Sequence, residues 1–358
     1  MVWPWNEKKA ELAAPTQTST RGDDVDLLVA ALPDPVLILD QDGIVIKTNT
    51  HAEAMLETRL LGLHISQAIR APAVLEAVSL ALTDRVSQQV DYEVRGVIAR
   101  HFEVFISPMG KVSNDGAALL LVLKDLTREQ QIERMRADFV ANASHELRTP
   151  LASLSGFIET LQGAARSDEK SRDKFLNMMR GQAERMKRLI DDLLSLSRIE
   201  MNAHQRPSAK IDLADIARHV CDSLRPMAQE DKIELNVKLA EPLMVSGERD
   251  ELVQVVVNLV ENAIKYSNPN SPVEIEGARA GDRVSLTVID HGRGIAEEHI
   301  PRLTERFYRI NVQESRSRGG TGLGLAIVKH ILMRHRGRLV VSSVVGQGSR
   351  FTVQLPAS

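Results

Sequence analysis

The sequence predicts a multidomain α+β protein built from a mixed α/β domain, an antiparallel helical hairpin and an α/β sandwich, in that order. Three observations predict it. The apolar periodicity changes twice, from short strand-like runs up to about residue 126, to helical spacing over 128–200, to interleaved strands and helices from 210 onward. The chain has 358 residues, enough for two or three compact units rather than one. A polar opening and a polar break at Arg166–Arg172 punctuate the pattern. The units are read as 1–21, a polar tail; 22–127, the α/β domain; 128–203, the hairpin; and 210–358, the sandwich.

Composition narrows the function. Hydrophobic residues make up 43% and charged residues 26%, as in a soluble protein with a core, and at 3% aromatics that core must be aliphatic. A net charge of -3 gives no sign of the basic face that nucleic acid requires, so no nucleic-acid partner is expected. Cys221 is the only cysteine, which excludes an intrachain disulfide and a thiolate metal cluster and fits a reducing cytoplasm. The apolar stretch Leu27–Leu39 is broken by Pro33, Asp34 and Pro35, and no run reaches the roughly 18 residues of a membrane span. No signal peptide is evident. Trp3 and Trp5 followed by Lys8 and Lys9 read either as a terminal tail or as the rim of a membrane anchor, so a membrane contact at the N-terminus, or a cytoplasmic fragment of an anchored protein, stays open.

In the first unit, Val36–Asp40, the turn Gln41-Asp42-Gly43 and Ile44–Ile46 form an Asp-Gly hairpin signal. Further strands are expected at Val90–Val94, Phe102–Ser107 and Ala118–Lys124. In the second unit, Phe139, Leu147, Leu151, Leu154, Ile158 and Leu161 recur at helical spacing. After the break a second series runs Phe175, Met179, Gln182, Met186, Leu189, Leu193 and Leu196. One hairpin leaves an apolar stripe uncovered, so a homodimer forming a four-helix bundle is the economical solution. In the third unit, strands are expected at Ile233–Leu239, Val273–Glu276, Val284–Asp290, Leu339–Ser343 and Arg350–Leu355. Helices are expected at Leu213–Met227, Glu248–Tyr266 and Gly324–His335, with a closing hairpin at Gly346-Gln347-Gly348.

The chemistry begins at His145 in the segment Phe139–Leu151. Leu147 and Leu151 mark the expected buried face, which turns His145 outward with Arg148 and Thr149 one turn along. A nucleophilic imidazole must be neutral, and a nearby carboxylate, here Glu146, can hold the tautomer and offset the charge that develops on attack. Pro150 removes one helix hydrogen bond and is expected to bend the helix. A His-Glu-x-x-His zinc site is excluded because Thr149 stands where the second histidine would be.

Four segments of the third unit point to a nucleotide. Asn258 and Asn262 share a helix face, with Lys265 and Tyr266 following; an amide oxygen of Asn262 suits Mg²⁺, and Lys265 suits phosphate. Asp290-His291-Gly292-Arg293-Gly294 offers a carboxylate for an adenine amino group, with Gly292 and Gly294 allowing close backbone approach. Phe307 and Tyr308 are an aromatic pair that can cover a site, and Arg309 adds positive charge. Gly319-Gly320-Thr321-Gly322-Leu323-Gly324 opens a helix whose amides can cradle phosphates. Neither Gly-x-Gly-x-x-Gly nor a Walker A loop is present.

Taken together, the segment around His145 resembles the phospho-acceptor box of sensor histidine kinases, and the other four resemble the N, G1, F and G2 boxes of their ATP-binding fold, over residues 128–356. The resemblance implies ATP and Mg²⁺ as cofactors, His145 as the phosphorylated residue, an aspartate on a response regulator receiver domain as acceptor, and Thr149 as an aid to dephosphorylation. It also implies that 310–318 is a lid over ATP. Residues 24–126, ending in Asp125-Leu126-Thr127, resemble a PAS domain. The overall order is similar to that of phosphate-regulon sensor kinases. The competing readings are a non-catalytic ATP-binding scaffold, against which the intact His145, Asn262 and Asp290 count, and a clamp ATPase of the gyrase or chaperone type, against which the histidine-bearing hairpin and the small size count.

Overall fold

The computed structural model describes residues 21–358, except 57–58, 95–98, 111–115, 164–167, 203, 240–241 and 312–318. The tail with its two tryptophans, and the lid expected between Arg309 and Gly319 apart from its first two residues, lie outside the described residues. The chain divides into two compact units, Met1–Asp138 and Phe139–Ser358.

The N-terminal unit contains helix α1 (Arg21–Ala31), strands β1 (Val36–Leu39) and β2 (Val45–Thr48), helices α2 (Thr50–Leu56), α3 (Ile65–Ala68) and α4 (Pro72–Asp84), and strands β3 (Gln88–Val94), β4 (Arg100–Pro108) and β5 (Leu119–Asp125). The expected hairpin forms, β1 pairing antiparallel with β2. Asp40 makes its turn, one carboxylate oxygen accepting from Asp42 N–H at 2.9 Å and Ile44 N–H at 2.8 Å. The sheet order is β2-β1-β5-β4-β3, so the chain leaves β2 through three helices before closing the sheet from the other edge. The core is aliphatic, with Leu37, Leu39, Val104, Ile106, Leu119, Leu121 and Leu123 fully buried. Buried Asn49 ties the entry to this sheet. Its amide reaches the carbonyls of Val29, Leu32 and Asp34, and its oxygen accepts from Val36 N–H at 3.1 Å and Ala52 N–H at 3.0 Å.

Helix α5 (Thr127–Gln162) follows at once, its first turn capped by Asp125, which accepts from Thr127 N–H at 2.9 Å. Helix α6 (Glu169–Met201) starts at Asp168, which accepts from Lys170 and Ser171 N–H. Within the C-terminal unit the two helices form the expected hairpin, Phe157 and Phe175 lying 5.6 Å apart between ring centres. The covered face of α5 runs Leu147, Pro150, Leu154, Phe157 and Leu161. Leu151, expected inside, is 54% exposed, and Ile158 is 42% exposed. The reason is angular: the seven-residue repeat from Leu147 passes through Leu154 and Leu161, leaving Leu151 and Ile158 on a neighbouring stripe. On α6 every expected inward position is covered, and Ile190 and Leu194 form the matching exposed stripe.

The sandwich follows: β6 (Ala209–Asp212), α7 (Leu213–Glu230), β7 (Glu234–Leu239), β8 (Met244–Gly247), α8 (Arg249–Tyr266), β9 (Pro272–Ala280), β10 (Arg283–Asp290), a 3-10 turn at Glu297–Arg302, α9 (Gly324–Arg334), β11 (Arg338–Val344) and β12 (Gly348–Pro356). All five expected strands form one sheet, β11-β12-β10-β9-β7, with β7 parallel to β9. The small β6–β8 ribbon is an addition the periodicity did not show. Val284, Leu286 and Val288 of β10 meet Leu252, Val256, Leu259 and Val260 of α8 in one core that also takes in Leu189, Leu196 and Ile199 of α6. Each such buried side chain contributes about 1.5–3 kcal/mol. The C-terminal end of the hairpin is therefore part of the sandwich's own core.

Candidate active site

Helix α8 presents Asn258, Asn262 and Lys265 on its open side because Leu252, Val256, Leu259, Val260 and Ala263 hold the opposite side in the core. Strand β10 ends on Asp290, and the chain after it, the segment around Tyr308 and the start of α9 close around the same space. The result is a cavity of about 320 Å³. It is lined by Asn258, Asn262, Lys265, Tyr266, Asp290, Gly294, Tyr308, Arg309, Gly320, Thr321, Gly322 and Gly324. Four segments separated by up to 66 positions in the chain thus converge on one pocket, as expected from sequence.

Asp290 is only 4% exposed. It accepts from Gly292 N–H at 3.0 Å and from the backbone and hydroxyl of Ser349, yet burial pushes its carboxyl above the usual range. Lys265 pairs with Glu261 at 2.6 Å one turn back. Tyr308 is fixed by a 2.8 Å hydrogen bond between its hydroxyl and His299 Nδ1, with the Arg302 guanidinium over its ring. Two buried donors, Asn258 Nδ2 and Arg309 Nε, have no partner among the described residues. Unpaired buried donors on a cavity wall suit an oxygen-rich anion.

Three expected lining residues stand elsewhere. Gly292 serves the protein rather than a ligand: a Cβ there would lie 2.0 Å from the Tyr266 carbonyl, because its backbone bridges to the end of α8. Phe307 turns away from the cavity and packs on Phe139 of α5, ring centres 6.0 Å apart. It does so at a φ of +64°, with its N–H donating to the Gly322 carbonyl at 2.8 Å. Gly322, itself at φ +76°, could not carry a side chain there without striking the Phe307 backbone. Leu323 is fully buried in the core.

The hairpin residues are arranged differently from the sequence reading. His145 is exposed, as expected, and Thr149 Oγ1 donates to the His145 carbonyl at 3.2 Å. Glu146 is held between Arg185 at 2.9 Å and Arg309 at 3.1 Å, an engagement the sequence did not indicate. Arg188 and Asp192 of α6, which the sequence reading did not single out, line the cavity. Thr321 Oγ1 donates to Asp192 Oδ2 at 2.6 Å. Arg306 lies over Phe139 and pairs with Glu200. The spacing of Arg185, Arg188 and Asp192 on one face of α6 was the available signal, but a polar helix face reads first as solvated surface.

Comparison with known proteins agrees with this geometry. Residues 247–358 match the family described as histidine kinase-, DNA gyrase B- and HSP90-like ATPase. Residues 135–202 match the His Kinase A (phospho-acceptor) domain, and residues 29–131 match a PAS fold. The phosphate regulon sensor protein PhoR of Pseudomonas aeruginosa is 34% identical over 335 residues, covering 92% of this chain and 73% of that protein. The sensor protein kinase WalK of Staphylococcus saprophyticus is 32% identical over 363 residues, covering 98% of this chain but 58% of that protein. Among solved structures, the histidine kinase AdeS of Acinetobacter baumannii is 27% identical, with a TM-score of 0.48 over 60% of this chain and 98% of that one. No helix among the described residues is long and apolar enough to cross a membrane. The chain belongs to the sensor histidine kinase family of two-component systems, an enzyme class in which a phospho-acceptor hairpin is joined to an ATP-binding domain.

Proposed function

We propose that the chain phosphorylates its own His145 from ATP and hands the phosphoryl group to an aspartate of a response regulator, working as a homodimer through the hairpin. The observation that carries this reading is the convergence of Asn258, Asn262, Lys265, Asp290, Arg309 and Thr321 on one cavity, with two buried donors left for an anion. Asp290 accepts from the adenine amino group, Tyr308 borders the base, and Lys265 and the Gly320–Gly324 amides face the phosphates. When bound, Mg²⁺ supplies charge neutralisation, held by the Asn262 amide oxygen and otherwise by phosphate oxygens and water. No cluster of three metal-ligating side chains stands among the described residues, and such a phosphate-held ion needs none.

In the transfer step a neutral imidazole nitrogen of His145 attacks the γ-phosphorus in line, the bond to the β-phosphate oxygen breaks, and ADP departs. The ring proton stays on the other nitrogen, where Glu146 offsets the developing charge. His145 lines none of the cavity, so the ATP domain must leave its present seat on α6 to deliver the phosphate. Thr149 supports the reverse duty, orienting water against the phosphorylated regulator. The exposed stripe of Val140, Leu151, Ile158, Ile190 and Leu194 supports the dimer. The likeness to the phosphate regulon sensor supports phosphate starvation as the signalled condition.

Incubation with γ-labelled ATP and Mg²⁺ tests the core of this. An acid-labile, alkali-stable label that His145→Gln abolishes is the expected result, and a label that survives this change overturns the assignment.

A further inference from the structure

The two groups best suited to hold a phosphate chain are already holding carboxylates of the hairpin. Thr321 gives its one hydroxyl proton to Asp192 on α6, at 2.6 Å. Arg309, whose side chain is 4% exposed, gives Nη2 to Glu146 on α5 at 3.1 Å and to the Thr321 carbonyl at 2.6 Å. Both donors belong to segments of the nucleotide cavity, and both acceptors are anionic oxygens brought in by the phospho-acceptor hairpin.

We propose that Asp192 and Glu146 stand in for phosphate oxygens and form a latch that ATP displaces, so that nucleotide arrival releases the ATP domain from the hairpin and frees Glu146 to serve His145. This rests on the nucleotide reading above. A hydroxyl proton cannot be given twice, so a phosphate oxygen reaches Thr321 only by replacing Asp192. A polyanion set beside Asp192 and Glu146 is also repelled until the hairpin side withdraws. The carboxylates are not adventitious neighbours: Glu146 is 14% exposed with Arg185 as a second partner, and Asp192 is half-buried beside Lys265 and Arg188. By linkage, whatever factor the latch takes from ATP affinity, ATP takes from the seating of the domain on the hairpin.

Binding of ATP and of adenosine to the full chain, without and with Asp192→Asn, tests the latch. Adenosine reaches Asp290 but carries no phosphate. The variant is expected to bind ATP about three- to tenfold tighter, with adenosine affinity unchanged. Unchanged or weaker ATP binding relative to adenosine overturns the latch and leaves the nucleotide site standing. If neither compound binds the unaltered chain, the nucleotide reading itself falls and the latch with it. Should Asp192→Asn fail to fold, Glu146→Gln gives a second measurement, since it weakens the Arg309 arm of the latch and leaves Thr321 and Asp192 in place. That variant is likewise expected to bind ATP tighter with adenosine affinity unchanged; unchanged or weaker ATP binding relative to adenosine overturns the proposal.

Discussion

The two sheet domains of this chain treat buried polarity in opposite ways. In the N-terminal sheet, the one polar residue among the described buried set is Asn49, and both ends of its amide are saturated by backbone partners. In the C-terminal sandwich, Asp290, His335, Ser267, Thr287 and Ser349 are all buried, and Asn258 and Arg309 each keep a donor without a partner. A saturated polar group stabilises a turn; an unsaturated one at a cavity wall costs stability that a ligand can return. The contrast separates a buried polar group that fixes neighbouring backbone from buried donors set on a cavity wall.

The largest expected break of this contrast is at Asp290. Asp290→Ala should weaken nucleotide binding by about 10³-fold or more while changing thermal stability far less, because loss of a carboxylate that burial disfavours is set against stranding the Gly292 and Ser349 N–H groups it accepts from. Titration with a fluorescent ATP analogue checks the first part and thermal unfolding the second; a strong loss of stability with normal binding would make Asp290 another Asn49. The converse experiment is Asn49→Ala, expected to cost about 3 kcal/mol in denaturant unfolding of the N-terminal domain by stranding Val36 and Ala52 N–H, with ATP binding intact.

A smaller effect concerns surfaces rather than interiors. Leu151→Asp should weaken the homodimer by about 2 kcal/mol, read as a shift toward monomer in light scattering at low concentration, with monomer helicity preserved. A variant that stays dimeric would mean that the stripe of Leu151 and Ile158 is covered by something other than a second hairpin.

The smallest is a pH effect in the sandwich. His335 Nε2 accepts the Glu248 N–H at 3.0 Å at the start of α8, so Nδ1 carries the proton and donates to the Ile331 carbonyl at 2.8 Å. Burial holds its pKa below the usual 6.5, against the opposing pull of Glu251 and Glu248 and with the help of Arg334. The unfolded chain therefore takes up the proton first. The stability this neutral ring contributes is full above pH 6.5 and is lost as pH falls from there toward the lower folded value. Urea midpoints of the C-terminal unit should fall between pH 7.5 and 5.5, and His335→Gln should flatten that slope.

Much of the architecture was legible because it follows from period and turn chemistry. Val36–Leu39 and Val45–Thr48 were marked by an Asp-Gly turn, and the two long helices by apolar spacing interrupted at a capping Asp168. The site was legible as residue types: amides at i and i+4, a carboxylate at a strand end, glycines at a helix start. What escaped was whatever depends on which backbone meets which. Gly292 looked like a ligand-facing glycine and its decisive neighbour is the backbone of Tyr266, while Gly322 lines the cavity and also lies against the backbone of Phe307. Phe307 looked like a cover for the cavity and instead anchors the domain to Phe139, 168 positions away.

By itself, then, the sequence determined the residue types carried by each segment: a histidine facing out from a phospho-acceptor hairpin, amide, carboxylate and glycine groups in a domain of an ATP-binding family, and a sheet domain ahead of them. Those properties reside in short stretches whose spacing acts through local backbone geometry. Only the tertiary structure decided how the segments are engaged, with Glu146 drawn to Arg309 and Asp192 drawn to Thr321. The physical reason is that charge pairing and desolvation act between groups brought together by packing. No spacing along the chain records that α6 would share a core with the sandwich and set its carboxylates against the cavity's donors.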